Sequence, residues 1–237
     1  MNLTAACRSD RGHRLANDDV ALAVPELGLF VVADGAGAGF SGAPAAELVV
    51  ETIRQFFDPR GTDSLAAGLQ RANHRIWSRV TLAKRHADDR QASEDDLEWT
   101  GRSATAVAMH IADGLATIAH VGGTRAYHAS AGELVRLTTD HVQTDGTGPG
   151  NVRRFTRQLG AWETVKVDGT FQPVAPGDQI ILCSDGITAV LEDFELARLI
   201  GRDCVRTAEQ WVAAAVDRGA TRQTDADNCT AVVVLIG

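Results

Sequence analysis

Three apolar runs, at residues 104–111, 115–121 and 125–128, follow one another with only short turn-like links between them. Ala112-Asp113-Gly114 and Gly122-Gly123 are such links. Links this short cannot carry a crossover, so the strands they join are expected to pair antiparallel. Further Val-, Ile- and Ala-rich runs at 20–24, 27–33, 165–171, 179–183 and 229–236 read as strands. A helical pattern interrupts them at 42–57, with Ser41 as the expected N-cap and Pro44 in the first turn. A second helix is expected at 64–84, where Leu65, Leu69, Ala72, Ile76 and Val80 share one face. A third is expected at 206–217, opened by a capping box of Thr207 and Gln210. Helices do not alternate with strands, which disfavours a doubly wound parallel sheet. The expectation is one α+β domain over 1–237, with antiparallel sheets covered by helices.

Charge narrows the function classes. The chain has 31 acidic and 23 basic residues and a formal net charge of -8. That balance argues against a nucleic-acid coat or an anionic-membrane binder, which need positive contact faces. No apolar run reaches the ~20 residues of a membrane span, and the start of the chain lacks the basic segment of a signal peptide. The four cysteines, Cys7, Cys183, Cys204 and Cys229, form no C-x-x-C pair. Buried reduced thiols and a cytoplasmic setting are expected. The acidic stretch 88–98 reads as a solvated loop, and TDGTGPG at 144–150 as a loop able to move over a site.

The acid surplus is mostly Asp, 21 against 10 Glu. Position separates a few of these from ordinary turn residues. LFVVADG (29–35) and IILCSDG (180–186) are apolar strands that end in Asp34-Gly35 and Asp185-Gly186. Asp225-Ala226-Asp227-Asn228 opens the last strand, and Asn17-Asp18-Asp19 an early one. Each alone is an ordinary turn, because Asp and Asn bond their own backbone. Gathered at one rim, such carboxylates repel by roughly 4 kcal/mol per pair at ~4 Å and an effective dielectric near ~20. A divalent cation relieves this, and all-oxygen donors select Mg²⁺ or Mn²⁺ over Zn²⁺. A pair of such ions sharing a carboxylate would lower the pKa of a bridging water for in-line attack on a phosphoryl group. Arg14, four residues before Asp18, is the candidate fork for the phosphate oxygens.

Gly37-x-Gly39-x-x-Gly42 is a literal G-x-G-x-x-G between a strand and a helix. The ribose-binding acid on a following parallel strand is missing. The glycines are read instead as letting backbone pass close to the metal site.

At these same residues the chain resembles the metal-dependent protein phosphatases of the PP2C (PPM) type, in their short bacterial form. SDRGHRLANDD (9–19) is similar to S/T-D-x-G-x-x-R-x-x-N-E-D, and VVADGAGAGFSG (31–42) to V-A-D-G-M-G-G-H-x-x-G. GRSATAVAMHI (101–111) resembles the family's Ser/Thr-rich strand opening, and HVGGTRAY (120–127) resembles N-V-G-D-S-R-A-Y. LTTDH (137–141), RQLG (157–160), CSDGIT (183–188) and DNCTAVVV (227–234) follow in the family's order.

The resemblance implies an α-β-β-α sandwich of two antiparallel sheets flanked by helices. It implies that Asp34 bridges two Mn²⁺ or Mg²⁺ ions, helped by the Gly35 carbonyl, and that Asp185 and Asp227 hold the first ion. Asp18 stands where the family has a Glu near the second ion. Arg14 would bind the substrate phosphate. The implied reaction is hydrolysis of phosphoserine or phosphothreonine in proteins, without a phosphoenzyme. The implied partner is a phosphoprotein substrate opposed by a Ser/Thr kinase, and the implied state is a monomer that binds neither nucleic acid nor membrane. Two departures stand out: Asp18 replaces Glu, and Gly123 replaces the Asp of a third metal site. They motivate one alternative, a weak or inactive relative that binds phosphoproteins; a metal-dependent hydrolase of small phosphate esters is the other.

Overall fold

Strands that are apolar on both faces need cover on both, and this requirement organises the molecule. The structure is a computed structural model of the chain. It describes residues 1–37, 39–60, 64–89, 91–145, 152–222 and 227–237. The elements run β1 (Leu3–Asp10), β2 (Asp19–Val24), β3 (Leu29–Ala36), α1 (Ala43–Phe56), α2 (Ser64–Asp88), α3 (Glu94–Trp99), β4 (Ser103–Ala112), β5 (Leu115–Val121) and β6 (Arg125–Ser130). There follow β7 (Glu133–Arg136), β8 (Val142–Asp145), β9 (Val152–Phe155), β10 (Asp168–Pro173), β11 (Gln179–Cys183), α4 (Asp185–Thr188), α5 (Asp193–Arg198), α6 (Cys204–Arg222) and β12 (Cys229–Ile236).

Two five-stranded antiparallel sheets form, in the orders β1-β12-β11-β6-β7 and β10-β5-β4-β3-β2. β8 and β9 make a separate two-stranded ribbon. Along β3, Leu29, Val31 and Ala33 pack under α1 and α2, while Phe30 and Val32 face the other sheet. Along β12, Ala231 and Val233 pack under α6, while Val232, Val234 and Ile236 face inward. Side chains alternate across a strand, so both sets must be apolar when both faces are buried. The layers are helix, sheet, sheet, helix, the α+β sandwich expected. No β-strand pair in the described residues is parallel, so the G-x-G-x-x-G has no dinucleotide crossover to open.

Several local expectations are corrected. β1 carries no continuous apolar run because it is an edge strand with mostly half-buried and exposed side chains. The helix expected at 64–84 runs to Asp88, and that expected at 206–217 spans Cys204–Arg222. Thr207 is not its N-cap: its buried hydroxyl donates to Gln179 Oε1 at 2.9 Å and accepts the Gly201 N–H at 2.9 Å. Helix α1 has Gly42 at its N-cap, with Ser41 Oγ still accepting the Ala43 N–H at 3.2 Å. The acidic stretch is no simple loop. Ser93 and Asp96 form a capping box for α3, and Asp96 Oδ2 lies 2.9 Å from His86 Nδ1. Acids there satisfy a helix start rather than merely facing water. In the segment 144–150, residues 146–150 lie outside the described residues. Cys183, Cys204 and Cys229 are buried free thiols, and Cys7 is exposed. No helix among the described residues is long and apolar enough to cross a membrane.

Candidate active site

The two sheets bring their strand ends together at one rim. In the first sheet β11 and β12 are neighbours, so Asp185 just after β11 and Asp227 just before β12 lie side by side. In the second, β2 pairs with β3 in a register that sets Asp19 opposite Asp34. Four carboxylates from distant parts of the chain thereby share one electrostatic site.

Asp34 is the most perturbed. Burial holds its carboxyl well above the ordinary range, and the negative charges of Asp185, Asp19 and Asp227 push the same way. A carboxyl–carboxyl hydrogen bond with Asp185 adds to the shift. Asp19 is buried, and its carboxyl is pushed up to about 7, chiefly by burial. Hydrogen bonds from Ser184 and Thr230 oppose the shift, and the charges of Asp185 and Asp227 reinforce it. Ser184 Oγ donates to Asp19 Oδ2 at 2.7 Å, whereas Asp19 Oδ1 is buried with no partner. An orphaned buried oxygen of this kind is costly unless something binds it.

Asp227 is exposed and accepts from Arg14 twice, Nε to Oδ1 at 3.1 Å and Nη2 to Oδ2 at 3.2 Å. Asn228 then fixes the loop that carries Arg14. Its Nδ2 donates to the carbonyls of Arg11 at 2.8 Å and Ala16 at 3.0 Å, and its Oδ1 accepts the Asp18 N–H at 2.8 Å. The Asp18 carboxylate engages the start of α1: its Oδ1 accepts from Ser41 Oγ at 2.5 Å and from the Ala43 N–H at 3.3 Å. Gly35 lies against Gly42, where a Cβ on Gly35 would meet the Gly42 carbonyl oxygen at 2.2 Å. This close approach seats α1 on the end of β3. It is the structural use of Gly42, the last glycine of the G-x-G-x-x-G.

The expected residues Arg14, Asp34, Asp185 and Asp227 therefore meet, with Gly35 beside Asp34 in β3. Asp18 reaches the site through its backbone, since the Gly35 N–H donates to its carbonyl at 3.1 Å. Two residues of the site were not singled out from the sequence. Asp19 was hidden because Asn17-Asp18-Asp19 reads as one turn cluster, and only strand register tells which carboxylate turns inward. Asn228 was hidden because its partners lie about 210 positions away. Asp225 lies outside the described residues.

Does this donor set fit a metal? The donors are all oxygen, the charges of Asp185, Asp19 and Asp227 act on the buried Asp34, and Asp19 Oδ1 lacks a partner. These properties suit hard divalent cations. Among the described residues, no group of three or more His, Cys, Asp or Glu side chains is arranged to enclose an ion. The carboxylates meet in pairs instead, Asp34 with Asp185 and Asp19 across from Asp34.

The sequence model of the protein phosphatase 2C family matches residues 8–225. The chain belongs to the protein phosphatase 2C family. Its enzyme class is that of the protein-serine/threonine phosphatases. It is 26% identical over 212 residues to the serine/threonine phosphatase Stp of Listeria monocytogenes, a match covering 83% of this chain and 82% of the relative. The solved structure of PppA, described as a key regulatory component of T6SS in Pseudomonas aeruginosa, superposes with a TM-score of 0.80 at 28% identity, covering 99% of this chain and 98% of that one. The Mycobacterium tuberculosis phosphatase PstP gives a TM-score of 0.80 at 27% identity, with 99% and 98% covered. A PstP catalytic domain solved with two manganese ions shares the fold, with a TM-score of 0.71 at 24% identity and 99% of each chain covered. The two antiparallel sheets flanked by helices are the architecture this chain shares with these phosphatase structures.

Proposed function

We propose that this PP2C-family chain hydrolyses phosphoserine and phosphothreonine in proteins at a centre built on Asp34, Asp185, Asp227 and Arg14. The observation that carries the reading is the convergence of Asp34 with Asp185 and Asp19 beside an Arg14 fork, at one rim of the sandwich. Asp34 and Asp185, with the Gly35 carbonyl and Asp227, are the groups that would hold two Mn²⁺ or Mg²⁺ ions. Bound there, the ions supply Lewis acidity at the phosphoryl oxygens and acidify the attacking water.

The remaining work falls to the chain itself. Arg14 is a planar fork on a loop fixed by Asn228, and it can exchange the two oxygens of Asp227 for two of a phosphate. Asp19 stands opposite Asp34 in the strand register and is held by Ser184, whose Oγ donates to its Oδ2. Its buried Oδ1, which has no protein partner, is the oxygen that would accept a hydrogen bond from a water held at the centre. Asp18 keeps its carboxylate on the first turn of α1 and positions Gly35 through its carbonyl. A kinase that forms the phosphoester is the opposing activity such a substrate requires.

The test is an assay of the purified protein on a phosphothreonine peptide, with Mn²⁺ and then with EDTA. Turnover that EDTA abolishes, and that Asp34→Asn removes, supports the reading. Absence of turnover with Mn²⁺ across several phosphopeptides overturns it.

A further inference from the structure

Gly123 lies in the turn between β5 and β6, beside Asp185. A Cβ at this position would stand 2.8 Å from Phe155 Cε1, 3.3 Å from Phe155 Cζ and 3.4 Å from Asp185 Oδ2. The aromatic ring and the carboxylate therefore flank the same missing methyl group. Glycine here leaves room for the ring, because a Cβ would force the ring to shift.

The ring's place is held by a continuous set of bonds. Phe155 pairs with Val142 in the β8–β9 ribbon. The Thr156 N–H donates to the His141 carbonyl at 2.8 Å, and the His141 N–H donates to the Gly122 carbonyl at 2.9 Å. The Gly122 N–H returns a bond to His141 Nδ1 at 3.1 Å. On the other side of the ring, His141 Nε2 lies 3.1 Å from both Asp168 Oδ2 and Arg157 Nη1. The ribbon and the Gly122-Gly123 turn are thus stitched together at His141, and Phe155 follows that stitch.

We propose that Phe155 is a specificity-determining residue: it gives an otherwise ionic site one apolar wall and selects phosphopeptides with an apolar side chain next to the phosphorylated residue. The inference rests on the phosphatase reading and deepens it. Carboxylates and phosphate are strongly hydrated, so a half-buried ring among them removes water on one side only. A substrate phosphate bound at the centre that Asp185 would help to form brings its neighbouring residue within reach of that side. An apolar neighbour gains by covering the ring, and an acidic one meets a surface that cannot solvate it. Covering about half of a leucine side chain corresponds to roughly a fivefold change in KM or Kd.

The experiment compares two phosphothreonine peptides that differ only by Leu or Asp beside the phosphothreonine. KM and kcat are measured for the wild type, Phe155→Ala, Phe155→Leu, Gly123→Ala and Gly123→Ala/Phe155→Ala, with Mn²⁺ present. The expected wild-type preference for the Leu peptide is about fivefold, carried by KM. Phe155→Ala should erase it, Phe155→Leu should keep most of it, and Gly123→Ala should mimic Phe155→Ala by displacing the ring. The double variant should be no worse than Phe155→Ala alone. Peptide binding by calorimetry reads the same discrimination without turnover, and hydrolysis of an aryl phosphate by the wild type checks the phosphatase reading separately. Equal KM and Kd for the two peptides in the wild type would overturn the proposal. So would a Phe155→Ala effect of the same size on both peptides, or additive losses in the double variant.

Discussion

Arg14 grips both oxygens of Asp227, a residue 213 positions away, in a fork of 3.1 and 3.2 Å. Both side chains are about half exposed, at 46% and 49%, so the pair can exchange partners at little cost in stability. An arginine that releases a carboxylate for a phosphate keeps its charge compensated throughout. Arg14→Ala is expected to lower kcat/KM on phosphopeptides by about 10- to 100-fold, mainly through KM. Manganese affinity, read by calorimetry, should hold or tighten, because Asp227 loses a competing cation. Arg14→Lys should recover only part of the loss, since an ammonium cannot make the fork.

Asp34 and Asp185 carry opposed demands of function and stability. Asp34→Asn or Asp185→Asn should reduce turnover by on the order of 1,000-fold or more. Asp34→Asn also removes a carboxyl whose ionisation burial and the neighbouring charges oppose. In EDTA, thermal melting of Asp34→Asn is therefore expected above that of the wild type, by a few degrees. A lower melting temperature in EDTA would show that the cluster is not strained by its own charge.

Metal-free stability should also depend on pH with an unusual sign. Asp19 is pushed up to about 7, and Asp34 well above the ordinary range, whereas both ionise near ~4 in an unfolded chain. Between those limits the folded state binds more protons than the unfolded state, so stability falls as pH rises from about 4 to 7. Denaturant melts in EDTA at pH 5 and pH 7.5 check this. Added Mn²⁺ should remove most of the difference.

Adjacent aspartates take different parts. Asp19→Asn is expected to cut turnover by about 10- to 100-fold while the protein still folds, because Ser184 can still donate to the amide oxygen. Asp18→Ala should instead cost about 1 kcal/mol of stability by uncapping α1, with a smaller effect on kcat. Urea unfolding and steady-state kinetics on both variants separate these outcomes.

Gly35 and Gly42 approach so closely that neither accepts a side chain. Gly35→Ala would place a Cβ 2.2 Å from the Gly42 carbonyl oxygen, and Gly42→Ala would place one 2.1 Å from the Gly35 carbonyl carbon. Each should destabilise by about 3 kcal/mol or more, since backbone must move on both sides. Gly39→Ala faces open space and carries only the strain of φ +88°, so about 1 kcal/mol is expected there. Circular dichroism melts rank the three.

The chain's own residues determined the layers and most of the site. Strands such as β3 and β12 carry unbroken apolar runs, Leu29 to Ala33 and Ala231 to Ile236, because both faces are covered, and that pattern is written in consecutive residues. Asp34-Gly35 and Asp185-Gly186 end such strands, so their place at a rim was legible too. Tertiary structure decided what depends on register and on distant partners. Whether Asp18 or Asp19 turns inward is a matter of strand phase, which a two-residue turn cluster does not reveal. The edge strand β1 was illegible because half-exposed positions carry no apolar run. The meeting of Gly123, Phe155 and Asp185 joins three segments that no local pattern connects. Side-chain chemistry is local and can be read along the chain, whereas the desolvation and charge coupling that make a site reactive arise only when distant carboxylates are packed together.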